Sequence, residues 1–115
     1  MEATRSVRRA VTEVIDLLVV GDHAGVERLT RGRRVAAADL RRVVQEHGRT
    51  LVRLPDGADD RFDVTAVLGS RPPRYFVDVD LQTEEEGRSD LTLTLELVSA
   101  GRDVYEVSVV DLRVQ

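Results

Sequence analysis

Carboxylates are the most frequent reactive side chains in the second half of the chain. Asp78 and Asp80 are two positions apart, so in a strand both lie on one face, where they could bind a cation or a basic partner. We expect an interaction surface formed by the polar residues Asp78, Asp80, Glu84, Glu85, Glu86, Arg88 and Glu96. The alternative is a solvated sheet face with a solvated turn, because antiparallel sheets commonly expose one side to water.

Few side chains in the predicted apolar interior could act as a general acid or base. Tyr75 is the best catalytic candidate, and Tyr105 and His47 are weaker ones. The competing interpretation is that both tyrosines are core aromatics with their hydroxyls at the rim. His47 is better placed to stabilise a helix C-terminus than to catalyse. The sequence leaves enzymatic activity open and favours a protein without catalytic activity.

Metal and cofactor chemistry has little support in the sequence. The chain has no cysteine and two histidines, His23 and His47, which excludes thiolate zinc sites. The loop PDGADDRFD contains several acids, but its glycine is misplaced for a calcium loop. The sequence contains no glycine-rich phosphate loop following a strand. We therefore expect no metal site and no cofactor.

The charges are distributed unevenly along the 115 residues. All 17 basic residues are arginine, and the formal net charge is −4. Residues 1–53 hold 11 arginines and 7 acidic residues, whereas residues 54–115 hold 6 arginines and 14 acidic residues. The acidic net charge and the few aromatic residues argue against nucleic-acid binding. One basic patch is formed by Arg28, Arg31, Arg33, Arg34, Arg41 and Arg42. These arginines could equally pair with the acidic half.

The sequence has neither a secretory signal nor an apolar run long enough to span a bilayer. We therefore expect a cytoplasmic protein that does not bind membranes.

The first half has the apolar spacing of three amphipathic helices. The first spans about residues 3–20, with one stripe formed by Val7, Val11, Val14, Ile15 and Leu18. Gly21 fits a left-handed cap, and Asp22 fits the N-cap of a second helix over about 23–30. A third helix over about 36–46 ends at Gly48.

After Arg49 the apolar spacing changes to every second residue, which is typical of strands. We predict a short segment at 51–54 and strands at about 61–68, 75–82, 91–98 and 103–114, with Gly87 in a hairpin turn. A change of apolar phase between Val109 and Val110 predicts a β-bulge that bends the last strand. The chain is thus predicted to be one α+β domain over 1–115, with three N-terminal helices packed on a curved antiparallel sheet of four to five strands.

Strand phase assigns an apolar set to the face beneath the helices. Besides the leucine row from Leu91 to Leu97, the inward positions are Phe62, Val64, Ala66, Leu68, Tyr75, Val77, Val79 and Leu81. A ligand pocket on this face would be lined by Phe62, Val64, Tyr75, Val77, Val79, Leu93 and Leu95. It would need a volume of about 300 Å³ or more.

The first helix, the segment GDHAGVERL, the third helix and the long antiparallel meander together resemble the NTF2-like (SnoaL-like) superfamily. That resemblance implies a cystatin-like cone in which the sheet wraps around the first helix. The stretch DVDLQTEEEGRSDLTLTLEL is similar to a small bacterial family of uncharacterised domains with a TEEEGRSDLT hairpin. The superfamily includes isomerases, dehydratases, cyclases, toxin-immunity partners and inert dimer modules, so it implies no single activity. Its outer sheet face is often a dimer or partner interface.

Three functions remain open from the sequence. The first is a non-catalytic NTF2-like module that forms a homodimer or binds a protein partner through its acidic outer sheet face. The second is a small-molecule-binding protein or enzyme with an apolar pocket in the cone. The third is an immunity-like or antitoxin-like partner of a basic protein, since an acidic surface accelerates encounter with a cationic target.

Overall fold

The computed structural model describes residues 4–115, and of residues 59 and 60 only the backbone. Three helices come first: α1 (Arg5–Val19), α2 (His23–Thr30) and α3 (Ala37–His47). They are followed by β1 (Leu51–Val52), a 3-10 helix (Ala58–Arg61), β2 (Asp63–Ala66), β3 (Arg74–Thr83), β4 (Gly87–Gly101) and β5 (Val104–Val114). The predicted α+β architecture, helices before sheet, is confirmed.

The helix boundaries follow from local hydrogen bonds. The Thr4 hydroxyl accepts a hydrogen bond from the backbone N–H of Val7 and caps α1, and the Asp22 carboxylate accepts one from Gly25 and caps α2. Gly48 ends α3 in the left-handed conformation, with φ of 69°. The α2 prediction matches its observed bounds. The predicted start of α1 at Ala3 lies outside the described residues.

The sheet is antiparallel throughout, with strand order β1-β3-β4-β5, and β2 pairs with β3 next to β1. We call the face beneath the helices the inner face and the opposite face the outer face. The stripe of α1 is buried together with the inner-face residues in one core. Leu91, Leu93, Leu95 and Leu97 of the central strand β4 are fully buried there. The predicted leucine row is therefore confirmed.

The predicted β-bulge in β5 is also confirmed. Thr94 pairs with Asp111 and Leu95 pairs with Val109, which leaves Val110 as the extra residue. The bulge restores a common inner phase, because Val107, Val109 and Leu112 are all buried.

The prediction for the strand before β3 was wrong at its C-terminal end. β2 ends at Ala66, its residue paired with Tyr75, and the chain turns where Val67 donates its N–H to the carbonyl of Arg74. Ala66 is exposed, and Leu68 lies in the turn with 96% of its surface exposed. Alternation alone extended the strand into this turn, so Leu68 was wrongly assigned to the inner face. Ala66 does have the inner phase, since it pairs with Tyr75, but it is exposed at the end of the strand.

Candidate interaction surface

The outer face of the sheet displays polar residues in rows that run across the strands. The strand register places Asp63, Asp78, Thr94 and Asp111 side by side in one row. The next row contains Asp80, Thr92 and Arg113. On the other side of the acidic row lies a row with Thr65, Phe76, Glu96 and Ser108. These three rows define the candidate interaction surface.

Asp80 is held firmly within this surface. Arg88 donates from Nε and Nη2 to Asp80 Oδ2 at 3.0 and 2.9 Å, and the Thr92 hydroxyl donates to Oδ1 at 2.7 Å. The Thr92 hydrogen bond, assisted by Arg88, lowers the pKa of Asp80. The carboxylate is therefore ionised and fixed in place by its own neighbours.

A similar network orders the acidic row. The Thr94 hydroxyl donates to Asp78 Oδ1, and Arg113 bridges Asp111 at 3.0 Å and the Thr94 hydroxyl at 3.4 Å. The side chains of Asp111 and Arg113 are each about half exposed. The surface consequently presents ordered charges of both signs to solvent.

Glu96 shares the outer phase but is shielded from water. Only 7% of the Glu96 surface is exposed. Arg34 Nη2 lies 3.2 Å from Glu96 Oε1, and Arg74 Nε lies 3.4 Å from Oε2. Arg34 comes from the connection between α2 and α3, and the neighbouring Arg33 donates to the Val107 carbonyl of β5. Two arginines of the predicted basic patch thus pair with the C-terminal half.

The acidic run of the β3–β4 hairpin docks on the connection between α3 and β1. Glu85 accepts hydrogen bonds from the backbone N–H and the hydroxyl of Thr50 at 2.8 and 2.9 Å, and the backbone contact lowers its pKa most. Glu84 donates its backbone N–H to the Thr50 carbonyl. Glu86 turns towards His47. The hairpin acids therefore have structural partners within the chain, which the sequence did not reveal.

A cluster around His47 joins the end of α3 to the same hairpin. His47 Nε2 lies 3.0 Å from Glu86 Oε1 and 3.2 Å from Ser89 Oγ. Glu86 Oε1 also accepts hydrogen bonds from the hydroxyls of Ser89 and Thr83, and the Ser89 contact has the largest lowering effect on the Glu86 pKa. The potential ligand atoms of His47, Glu86 and Asp90 lie within 4.8 Å of one another. Sequence spacing could not find this group, because His47 is about 40 residues from its partners.

The catalytic candidate Tyr75 packs on Tyr105. Their rings meet edge to face, with centroids 6.2 Å apart, and the Tyr105 hydroxyl lies 3.3 Å from the Ser6 hydroxyl. Both tyrosines are partly buried against the core. This arrangement fits the interpretation as packing aromatics.

The residues predicted to line an apolar pocket are mostly packed in the core. Val64, Val77, Val79, Leu93 and Leu95 have at most 3% exposure and belong to one core with α1. A cleft of about 320 Å³ lies elsewhere, between α1 and the segment from Arg53 to Ala58. Of the predicted lining residues, Phe62 contacts this cleft. Two of its lining residues, Arg53 and Asp16, form an ion pair at 3.6 Å.

Comparison with known proteins identifies a family and leaves its activity open. Among the described residues, no helix is long and apolar enough to cross a membrane. The chain matches neither a curated protein nor a solved structure. Residues 15–115 match the family model described as Domain of unknown function (DUF7668). Because this match covers most of the chain, the protein belongs to the DUF7668 family.

Proposed function

We propose that this protein is a non-catalytic interaction module that forms a homodimer through the outer face of its sheet. The observation that carries the proposal is the ordered pairing of opposite charges on that face. Asp80 with Arg88 and Asp111 with Arg113 place both signs on one surface. A two-fold interface needs a patch that complements itself, and a surface with both signs at fixed positions can meet this requirement.

The apolar component of the same face supports the proposal. Phe76 and Val98 are half-buried on the outer face, next to the polar rows. Interfaces between proteins combine apolar and aromatic contacts with a polar rim. The hydroxyls of Thr92 and Thr94 already orient the carboxylates, so pairing would cost little additional side-chain entropy.

Three expectations stay predictions: membership of the NTF2-like superfamily, a single domain over 1–115 and a cytoplasmic location. An enzymatic or ligand-binding role gains little support, because the predicted pocket residues fill the core and Tyr75 packs against Tyr105. The proposal therefore rests on the outer face alone.

A charge reversal on the acidic row tests the dimer. Sedimentation velocity is expected to give a dimer for the natural chain and a weaker dimer for Asp78→Arg, by at least about tenfold in Kd, since like charges across an interface cost several kcal/mol. The matched control is Asp39→Arg on α3, whose carboxylate pairs with Arg42 at the surface. Circular dichroism verifies that both variants fold. A monomeric natural chain, or equal effects of the two variants, would refute the proposal.

A second candidate is binding of a basic protein, as in an immunity-like role. The specific observation in its favour is the acidic row, in which Asp63, Asp78 and Asp111 cross the sheet on successive strands with Thr94 between them. Such a partner would bind more slowly as salt increases, because exposed charges are screened. A monomeric chain that captures a cationic protein in a salt-dependent way would favour this candidate over the homodimer.

A further inference from the structure

The end of α3 and the β3–β4 hairpin bring together three side chains of the types that bind transition metals. They are His47, Glu86 and Asp90, with one ligand atom each within 4.8 Å of the other two. Ligands of one zinc ion bind at about 2.0–2.2 Å from the metal, so their atoms lie roughly 3.0–3.6 Å apart around it. His47 Nε2 and Glu86 Oε1 are already 3.0 Å apart, and Asp90 is an exposed member of the group.

His47 is the fixed member of the group. Its side chain is 9% exposed, and it is the last residue of α3, which Gly48 ends. The contacts with Glu86 Oε1 and Ser89 Oγ show that its Nε2 points into the group. The Glu86 carboxylate can only accept the 3.0 Å hydrogen bond, so Nε2 donates it in the metal-free chain. A bound ion would replace this proton on Nε2, and the neutral imidazole would carry its proton on Nδ1.

The two carboxylates have oxygens available for a ligand. Glu86 Oε1 accepts hydrogen bonds from Thr83 and Ser89, which orient the carboxylate, whereas Oε2 accepts none from the described residues. The Asp90 carboxylate likewise has neither a hydrogen-bond nor an ion-pair partner among the described side chains. Hydrogen bonds that orient a ligating carboxylate are typical of the surroundings of metal sites.

We propose that His47, Glu86 and Asp90 form a binding site for a divalent transition metal ion of the zinc class. The imidazole nitrogen favours such an ion over Ca²⁺ and Mg²⁺, which prefer oxygen ligands. Three protein ligands leave a fourth position to water in tetrahedral coordination. The ion would tie the helical layer to the hairpin, and this inference is independent of the homodimer. It revises the expectation of no metal site, which rested on residue counts and spacing.

Zinc titration of the metal-stripped protein tests the site. Isothermal titration calorimetry is expected to show one saturable Zn²⁺ site per chain, and Zn²⁺ should raise Tm because the folded state alone assembles the ligands. Mg²⁺ serves as the comparison ion and should produce neither effect. Absence of saturable Zn²⁺ binding, or equal binding of Mg²⁺, would overturn the proposal.

Variants of the ligands separate this site from adventitious binding to surface acids. Asp90→Asn and His47→Gln are each expected to weaken Zn²⁺ binding at least about tenfold. Asp90→Asn is the decisive variant, since its exposed side chain makes no contact that folding requires. The matched control is Glu84→Gln, which removes one negative charge from the same hairpin outside the ligand group. Unchanged affinity in Asp90→Asn or His47→Gln, or an equal loss in Glu84→Gln, would refute the three-ligand site.

Discussion

Glu96 is a charged residue that its ion pairs shield from water. Its nearly buried carboxylate lies between the half-exposed guanidinium groups of Arg34 and Arg74. We expect Glu96→Gln to lower the free energy of unfolding by about 1–2 kcal/mol, between the values for exposed and buried pairs. The control is Asp111→Asn, which breaks an exposed pair with Arg113 and should cost less than about 1 kcal/mol. Urea denaturation measures both, and equal losses would contradict the assigned burial of Glu96.

We expect the burial of His23 to make the stability of the protein sensitive to acid. His23 is 7% exposed, and its Nε2 has no hydrogen-bond partner among the described residues. Burial and the nearby Arg41 lower the pKa of His23 below its ordinary value of 6.5, and Asp22 partly opposes this shift. The unfolded chain therefore binds a proton on His23 more readily than the folded chain. Neutral His23 therefore costs no stability above about pH 6.5. As the pH falls through 6.5 towards the lower folded-state pKa, protonation of His23 in the unfolded chain lowers the free energy of unfolding.

Substitution of His23 tests this link between burial and acid sensitivity. His23→Leu is expected to have a smaller loss of unfolding free energy than the natural chain between about pH 7.5 and 5.5. Chemical denaturation at several pH values gives the comparison, with His47→Gln as the control for the other histidine. Parallel pH profiles for His23→Leu and the natural chain would show that His23 does not carry the effect.

Sequence reasoning reached the face of each strand residue but not its environment. Alternation correctly placed Asp78, Asp80 and Glu96 on one face, because successive side chains of a strand point to opposite sides. It could not show that Arg34 shields Glu96, since that contact spans 62 residues and depends on the path of a loop. The cluster of His47, Glu86 and Asp90 was missed for the same reason.

At the scale of elements, the central strand and the turn after β2 should respond very differently to truncation. Leu95→Ala removes a fully buried side chain of β4 and is expected to cost about 2–5 kcal/mol in unfolding free energy. Leu68→Ala truncates an exposed side chain and should change stability by less than about 0.5 kcal/mol. Thermal or urea unfolding distinguishes them. A loss of 2 kcal/mol or more in Leu68→Ala would restore the inward assignment that alternation predicted.

Elements with a strong local signal were predictable, and those defined by pairing were not. The apolar stripe and caps of α1 and α2, and the phase change at Val110, each have a cause within a few residues. The end of β2 depends instead on where β3 turns away from it, with Ala66 paired to Tyr75. The hairpin acids were predictable as a turn around Gly87, but their hydrogen bonds to Thr50 are contacts between distant segments.

In the whole molecule, the two faces of the sheet have different roles. The helices cover the inner face and complete the core, whereas the outer face carries ordered charges and half-buried apolar side chains. The family assignment adds no activity to either face. This division favours the pairing of two copies through their outer faces.

A single thiol placed on the outer face tests this pairing. The natural chain has no cysteine, so Thr94→Cys on the central strand introduces a unique thiol, and Asp39→Cys on α3 provides the matched control. With a short bis-maleimide reagent at low protein concentration, we expect Thr94→Cys to form a covalent dimer of about 26 kDa, twice the 12.8 kDa chain, and Asp39→Cys to stay monomeric. A Thr94→Cys protein that forms no more dimer than Asp39→Cys would contradict pairing through the outer face.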